Sequence, residues 1–326
     1  MRIVIAGPGA LGCLLAALLA PRMENSGHSL LLLDHQQERA RLLNVMGILY
    51  ETGGNLQQHR VVVCSDPQLI GPVDILCLTV KSYDLASCLQ FCRPLISPQT
   101  LLVFMQNGIG HLDMEEREAL PTTPAFAVSS EGATLLAPGH VRHAGRGMTH
   151  MGFCGHPGEQ QQQLLHTLAE LLLEAGLSVS LSDDILNHLW AKLFVNVGIN
   201  PLTALYNCTN GQLLTSCAAR SRLKKLVKEA EAVARASGVA INTDPVQATL
   251  AVCKSTARNI SSMLQDRRRK GPTEIEAING AVVREGKRVG IATPFNEEAV
   301  EQIKEMERNY GQERQDAQNT TRTSTG

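Results

Sequence analysis

The sequence predicts an α/β N-terminal domain built on a doubly wound parallel sheet, followed by an all-α C-terminal domain. Three observations carry that reading. Short β-rich runs alternate with helical stretches through the first half, the pattern of βαβ units. The glycine turn "GPGALG" follows the first run directly, and beyond about residue 182 strand patterns give way to helical ones. The implied domains are 1–182 and 183–312. The aperiodic polar tail at 313–326, "ERQDAQNTTRTSTG", lacks large apolar residues and is expected to be disordered.

In chain order, "RIVIA" (2–6) predicts the first strand and the Ala/Leu-rich stretch to about residue 20 a helix. "SLLLL" (29–33) is the second strand, and "QQERARLLNVMG" a helix. Further strands are predicted at 60–64, 74–80, 101–105 and 125–129. An antiparallel hairpin is expected at 139–154 and an amphipathic helix at 159–176. Helices then follow at 183–205, 212–237, 244–257, 262–270, 273–289 and 294–310.

Composition narrows the classes of function. A chain of 326 residues suits two domains. With 44% hydrophobic and only 3% aromatic residues, the cores must be built from Leu, Val, Ile and Ala. A net charge of -1 makes no electrostatic case for nucleic acid or an anionic membrane. The apolar runs fall short of the roughly 20 residues that span a bilayer. The N-terminus goes straight into a strand rather than a secretory signal, so a cytoplasmic protein is expected. The nine cysteines lie mostly in apolar segments without a CxxC or His-rich partner. They read as buried reduced thiols, with no metal site.

The glycine turn carries the first chemistry. Gly7, Gly9 and Gly12 stand in GxGxxG spacing between a strand and a helix. In that context Gly7 permits the tight turn, Gly9 the approach of a pyrophosphate, and Gly12 close helix–strand packing. The whole run Gly7, Pro8, Gly9, Ala10, Leu11 and Gly12 is therefore a candidate dinucleotide-binding loop in a Rossmann-like domain, with phosphates at the helix N-terminus. Asp34, just after the second strand, is placed to bind the ribose hydroxyl of NADH and repel a 2′-phosphate. It could equally serve as N-cap of the next helix. Arg39, one turn into that helix, looks poorly placed for a 2′-phosphate. Lys81 and Asn107 follow two further strand ends, where ligands of open α/β sheets bind.

The second chemistry lies in "WAKLFVNVGINPLTAL" (190–205), which carries Lys192, Asn196 and Asn200 at intervals of four. Residues four apart share one side of a helix, so three polar heads line one stripe amid apolar neighbours. A lysine there can both stabilise charge developing on a carbonyl oxygen and donate the proton when a hydride attacks the carbon. Neutral asparagines suit hydroxyl and carboxylate recognition. Farther on, Ser262 with Gln265 and Thr273 with Glu276 fit capping boxes. Glu274 sits at the rim of an apolar stripe, and "RRRK" (267–270) reads as a solvated face.

These strings, together with "TVKSYD", "QNGIG", "NCTNG", "SSMLQD" and "TEIEAINGAVV", resemble the ketopantoate reductase (2-dehydropantoate 2-reductase) family along nearly the whole chain to about residue 310. The resemblance implies a helical domain of the 6-phosphogluconate dehydrogenase C-terminal-like kind and reduction of 2-dehydropantoate to pantoate. It implies Lys192 as proton donor, with Asn196, Asn200, Asn210 and Ser262 binding substrate. Asn107 would bridge cofactor and substrate, Lys81 contact the cofactor, and Glu274 lie near the substrate hydroxyl and the cofactor. A backbone contact to the cofactor from Ala133 is also implied. NADPH is the usual cofactor of the family. Asp34 stands where family members usually carry a basic residue, which brings NADH in as a second candidate. The loop 21–29 is also longer than the minimal family pattern. The expected partner is a small-molecule substrate, and the expected assembly a monomer or homodimer. A reductase of another branched 2-keto acid, or a non-catalytic dinucleotide sensor, are the competing readings.

Overall fold

The computed structural model describes residues 1–23, 27–112 and 118–323. It divides into two compact units: Met1–Gln106 with His111–His188, and Asn107–Gly110 with Leu189–Gly326. The division falls after His188 rather than at 182. Ser182 and Ile185 stay with the sheet unit because they close over Gly152, where an added Cβ would meet both.

In the first unit, β1 (Arg2–Ala6), β2 (Ser29–Leu33), β5 (Val62–Cys64), β6 (Ile75–Leu78), β7 (Leu101–Phe104) and β8 (Ala125–Ser129) form a parallel array in the order β5-β2-β1-β6-β7-β8. That is a doubly wound order with its switch point between β1 and β6, where ligands of such sheets bind. β11 (Met148–Phe153) extends the sheet antiparallel to β8, and β12 (Ser178–Leu181) closes it parallel to β11. β6 and β7 are buried along their whole length, as strands covered on both faces must be.

A second sheet was not evident in the sequence: β4 (Asn55–His59), β3 (Ile48–Thr52), β10 (His140–Gly145) and β9 (Gly132–Ala137), in that order. The hairpin expected at 139–154 is corrected by it. β10 pairs with β9 and β3, whereas β11 pairs with β8 and β12, so the chain changes sheets at Gly145–Gly147. Gly147 makes this possible by lying directly on the Ser130 backbone, leaving no room for a side chain. Helix α1 (Ala10–Met23) packs on β2 on one side and on β3, β9 and β10 on the other. Its nearly continuous apolar sequence follows from having both sides covered. Part of the long loop after α1, residues 24–26, lies outside the described residues.

Helices α2 (Gln37–Met46), α3 (Leu85–Cys92) and α4 (Glu159–Glu174) complete the first unit. The second unit is helical: α5 (Ile185–Tyr206, whose first turn belongs to the sheet unit), α6 (Gln212–Thr215), α7 (Cys217–Ala236), α8 (Pro245–Ser255), α9 (Ser262–Arg268), α10 (Asn279–Val289) and α11 (Pro294–Thr323). Gly198 lets α5 approach α7 and α8 closely, since a Cβ there would crowd Leu223, Val227 and Thr249. Buried Leu193, Val197, Leu202, Leu226, Val233, Ile278, Val282 and Ile303 form the core around it. α11 runs on to Thr323, where the sequence suggests an unstructured tail from 313. The added residues include two Gln, two Arg, a Glu and an Ala, whose helix propensity is high. Residues 324–326 of that tail lie outside the described residues. Among the described residues, no helix is long and apolar enough to cross a membrane.

Candidate active site

The glycine loop spans the gap between β1 and α1. Gly7 adopts φ 102°, a conformation costly for any residue with a Cβ, and donates its N–H to Leu33 O at 3.0 Å. Gly12 lies against the Gly7 carbonyl and Thr79 Oγ1, so the helix seats on the strand end without a side chain between them. A Cβ at Gly9 would meet nothing within 4 Å, which leaves one side of the loop open. The first turn of α1 carries no acidic residue to oppose an anion at its N-terminus. This open cradle fits a dinucleotide pyrophosphate at Gly7, Pro8, Gly9, Ala10, Leu11 and Gly12.

Two supports of the loop escaped the sequence reading. Thr79 Oγ1 lies 2.9 Å from Ala6 O and 2.8 Å from Gly7 O, tying β6 to the loop across the switch point. Gln106 Nε2 donates to Leu78 O at 2.8 Å and Val80 O at 3.2 Å, fixing the chain just before Lys81. A hydroxyl in "LTVK" and an amide in "MQNG" were the only signals. Lys81 itself precedes the short turn Ser82–Asp84 and is partly exposed. Ala133 lies in β9 opposite His143. Next to it runs a buried chain of polar groups, with Glu131 Oε2 at 2.6 Å from His143 Nε2 and Tyr50 Oη at 3.2 Å from His143 Nδ1.

Asp34 differs from expectation. It is not the N-cap of α2, whose cap position is Gln36. Its buried carboxylate instead accepts the Gln36 N–H at 3.0 Å and takes a two-pronged bond from Arg39, Nε at 2.5 Å and Nη2 at 2.7 Å. Arg39, one turn into α2, thus folds back to the end of β2. The reason is the carboxylate: a buried anion draws the nearest guanidinium into the geometry that satisfies both oxygens.

In the helical unit, α5 presents Lys192, Asn196 and Asn200. The ammonium of Lys192 is crowded by protein, and desolvation lowers its pKa to about 8, against the Glu274 carboxylate, which raises it. Glu274 is buried and accepts the Asn107 Nδ2–H at 3.0 Å. Asn107 is held by its own loop: Gly108, at φ 84°, lies flat on the Ala277 carbonyl, and Ile109 donates its N–H to that oxygen at 3.3 Å. Three residues from distant parts of the sequence, Asn107, Lys192 and Glu274, therefore meet in one unit. Asn200 is buried. Asn210 is anchored by its N–H to Asn259 O at 3.1 Å and by Nδ2 to Thr256 Oγ1 at 2.9 Å. Its Oδ1 is buried without a hydrogen bond among the described residues.

Three expectations near Ser262 and Glu274 are corrected. Ser261, not Ser262, caps α9: it accepts from Leu264 N at 3.1 Å and bonds Thr203 Oγ1 on α5 at 2.6 Å. Ser262 is left at the first helical position, partly exposed. No capping box forms at Thr273–Glu276, because the chain runs through turns until α10 starts at Asn279. Arg267 is not part of a solvated face but donates to the Ala204 and Leu205 carbonyls at the end of α5.

Comparison with known proteins follows the same division. The family described as ketopantoate reductase PanE/ApbA matches residues 3–155, and ketopantoate reductase PanE/ApbA C terminal matches residues 184–307. A 2-dehydropantoate 2-reductase of Vibrio cholerae is 31% identical over 95% of this chain and 99% of its own. One from Halobacterium salinarum is 32% identical over 90% of this chain and 95% of its own. Among solved structures, a PanE/ApbA family ketopantoate reductase from Ralstonia eutropha superposes with TM-score 0.84 at 30% identity, over 95% of this chain and all of that one. A D-mandelate dehydrogenase in ternary complex with NADH and anilino(oxo)acetate gives TM-score 0.85 at 27% identity, again over 95% and 100% of the two chains.

Proposed function

The chain belongs to the ketopantoate reductase family, and from that premise we propose that it reduces 2-dehydropantoate to pantoate with a reduced nicotinamide dinucleotide. The observation that carries the reading is Lys192 beside Glu274 on a stripe of asparagines, with a pKa of about 8. A bound reduced nicotinamide supplies the hydride. The protein's own part is to hold the keto acid and deliver a proton. Lys192 is charged at neutral pH yet easily deprotonated, the condition for an acid that gives its proton to the nascent alkoxide. Asn196, Asn200, Asn210 and Ser262 hold the hydroxyl and carboxylate of the substrate. Glu274 keeps Lys192 protonated and orients Asn107, and the glycine loop, Lys81 and the Ala133 backbone hold the cofactor.

NADPH is our reading of the preferred cofactor. Arg39 offsets the charge of Asp34 and occupies both of its oxygens, so the carboxylate neither repels a 2′-phosphate as a lone anion nor stands ready for a ribose hydroxyl. The outer edge of the guanidinium is left for the phosphate. Replacing Arg39 by Ala should lower kcat/KM for NADPH at least about tenfold, one charge-assisted contact's worth, and leave NADH within a few fold. An equal loss with both cofactors would refute this preference.

The D-mandelate dehydrogenase likeness supports a second reading, reduction of a different 2-keto acid on the same scaffold. Loss of nicotinamide absorbance with 2-dehydropantoate, benzoylformate and 2-ketoisovalerate in parallel separates the two. A kcat/KM for 2-dehydropantoate below that for either other acid would overturn the first.

A further inference from the structure

Helix α5 carries the substrate stripe and also a proline, Pro201, in its interior. Proline has no N–H, so the carbonyl four residues earlier, that of Val197, loses its helical partner, and the ring pushes that carbonyl outward. Val197 is fully buried, where an unpaired carbonyl is costly. The missing donor comes from another helix: Asn279 Nδ2, at the start of α10, lies 3.2 Å from Val197 O.

The orientation of Asn279 is fixed by chemistry. Its Nδ2 also meets Asn296 Oδ1 at 2.9 Å. Asn296 in turn donates through Nδ2 to Leu226 O at 3.2 Å and to Glu229 Oε2 at 2.7 Å, groups that can only accept. Asn296 must therefore turn its oxygen to Asn279, and Asn279 must turn its amide nitrogen to Val197. Glu229 is itself held by the Phe295 and Asn296 N–H groups at 2.9 and 3.0 Å. The chain runs from the N-terminus of α11 through two fully buried asparagines to the Val197 carbonyl of α5.

Pro201 directly follows Asn200, and Val197 directly follows Asn196. An interior proline bends a helix over the turn before it, here 197–201, so Lys192 and Asn196 precede the bend that Pro201 imposes and Asn200 lies within it. We propose that Asn279 is a positioning residue for the reduction: by replacing the hydrogen bond that Pro201 removes, it fixes the bend that sets Asn200 relative to Lys192 and Asn196. The proposal rests on the assignment of that stripe to substrate binding.

A double-mutant cycle with Pro201→Ala and Asn279→Leu tests it in the full-length enzyme. The first substitution restores the helical N–H and straightens α5, and the second releases the Val197 carbonyl, so each change disturbs the same bend. The expected result is a loss of about tenfold or more in kcat/KM for the keto acid in each single variant, with KM for the nicotinamide within about twofold, and a double variant no worse than the poorer single. Multiplicative losses in the double variant, or a nicotinamide KM that rises as much as the keto-acid KM, would overturn the proposal. Near-normal turnover in Asn279→Leu would do the same. Should Asn279→Leu fail to fold, folding of the double variant supports the proposal and failure of both refutes it. The site reading fails separately, on near-normal turnover in Lys192→Ala.

Discussion

The glycine loop and the α5 stripe, proposed to hold cofactor and substrate, are built in opposite ways. The loop works through backbone: Gly7 and Gly12 act by lacking side chains, and the loop's own shape lies within a six-residue run braced from outside by Thr79. The stripe works through side chains whose state is set from elsewhere: Glu274 acts on Lys192 and holds Asn107, and Asn279 supports the Val197 carbonyl. The residues that shape a backbone loop are thus mostly local in the sequence, even where a distant side chain braces it. A side-chain site gets its chemistry from residues the sequence keeps far apart.

The sharpest way to break this contrast is Lys192→Ala. It should cost about 10²–10⁴ in kcat while the dissociation constant of the nicotinamide, measured by fluorescence titration, stays within about twofold. A matching loss of nicotinamide affinity would mean that the two sites are not separate in role. The converse change is Gly12→Val, which drives a branched side chain into the Gly7 carbonyl and Thr79. Overpacking of this kind costs roughly 1–3 kcal/mol or more, so a lower Tm and weaker nicotinamide binding are expected together. Unchanged binding would show that the loop tolerates what its geometry forbids.

Smaller effects sharpen the comparison. With a pKa of about 8, the acid Lys192 loses its proton as pH rises, so kcat/KM for the keto acid should fall above about pH 8. Glu274 raises that pKa, so Glu274→Gln should move the falling limb to lower pH in a steady-state pH profile. A limb that stays in place would remove Glu274 from the account of Lys192. Least of all, Thr79→Val deletes one hydroxyl that bridges Ala6 and Gly7. About 1 kcal/mol of stability should go with it, read from denaturant unfolding, and activity should change little at saturating cofactor.

What could be read in advance follows the same line. The parallel strands, the glycine loop and the i,i+4 stripe were legible because periodicity and spacing are local properties. The second sheet was not. β4 has an almost wholly exposed burial pattern, β10 takes its place by pairing with distant β3, and β9 joins only through β10. The ion pair of Arg39 with Asp34 was not legible for a related reason: it depends on a burial of Asp34 that no single sequence states. Ser261 and Ser262 are adjacent and chemically alike, and it is Ser261 that caps the helix and bonds the Thr203 hydroxyl on α5, a contact between distant segments. Asn279 could not be found at all without knowing which carbonyl Pro201 had left bare.

Helix α1 has one further consequence. Covered by one sheet on each side, it is the part of its unit least able to open without wider unfolding, so its amide protons should be among the slowest there to exchange with solvent. The glycine turn, proposed above to hold the cofactor phosphates, is attached to the first residue of that helix. Its shape is therefore settled when the chain folds, and a dinucleotide meets N–H groups already aimed, with little left to order on contact.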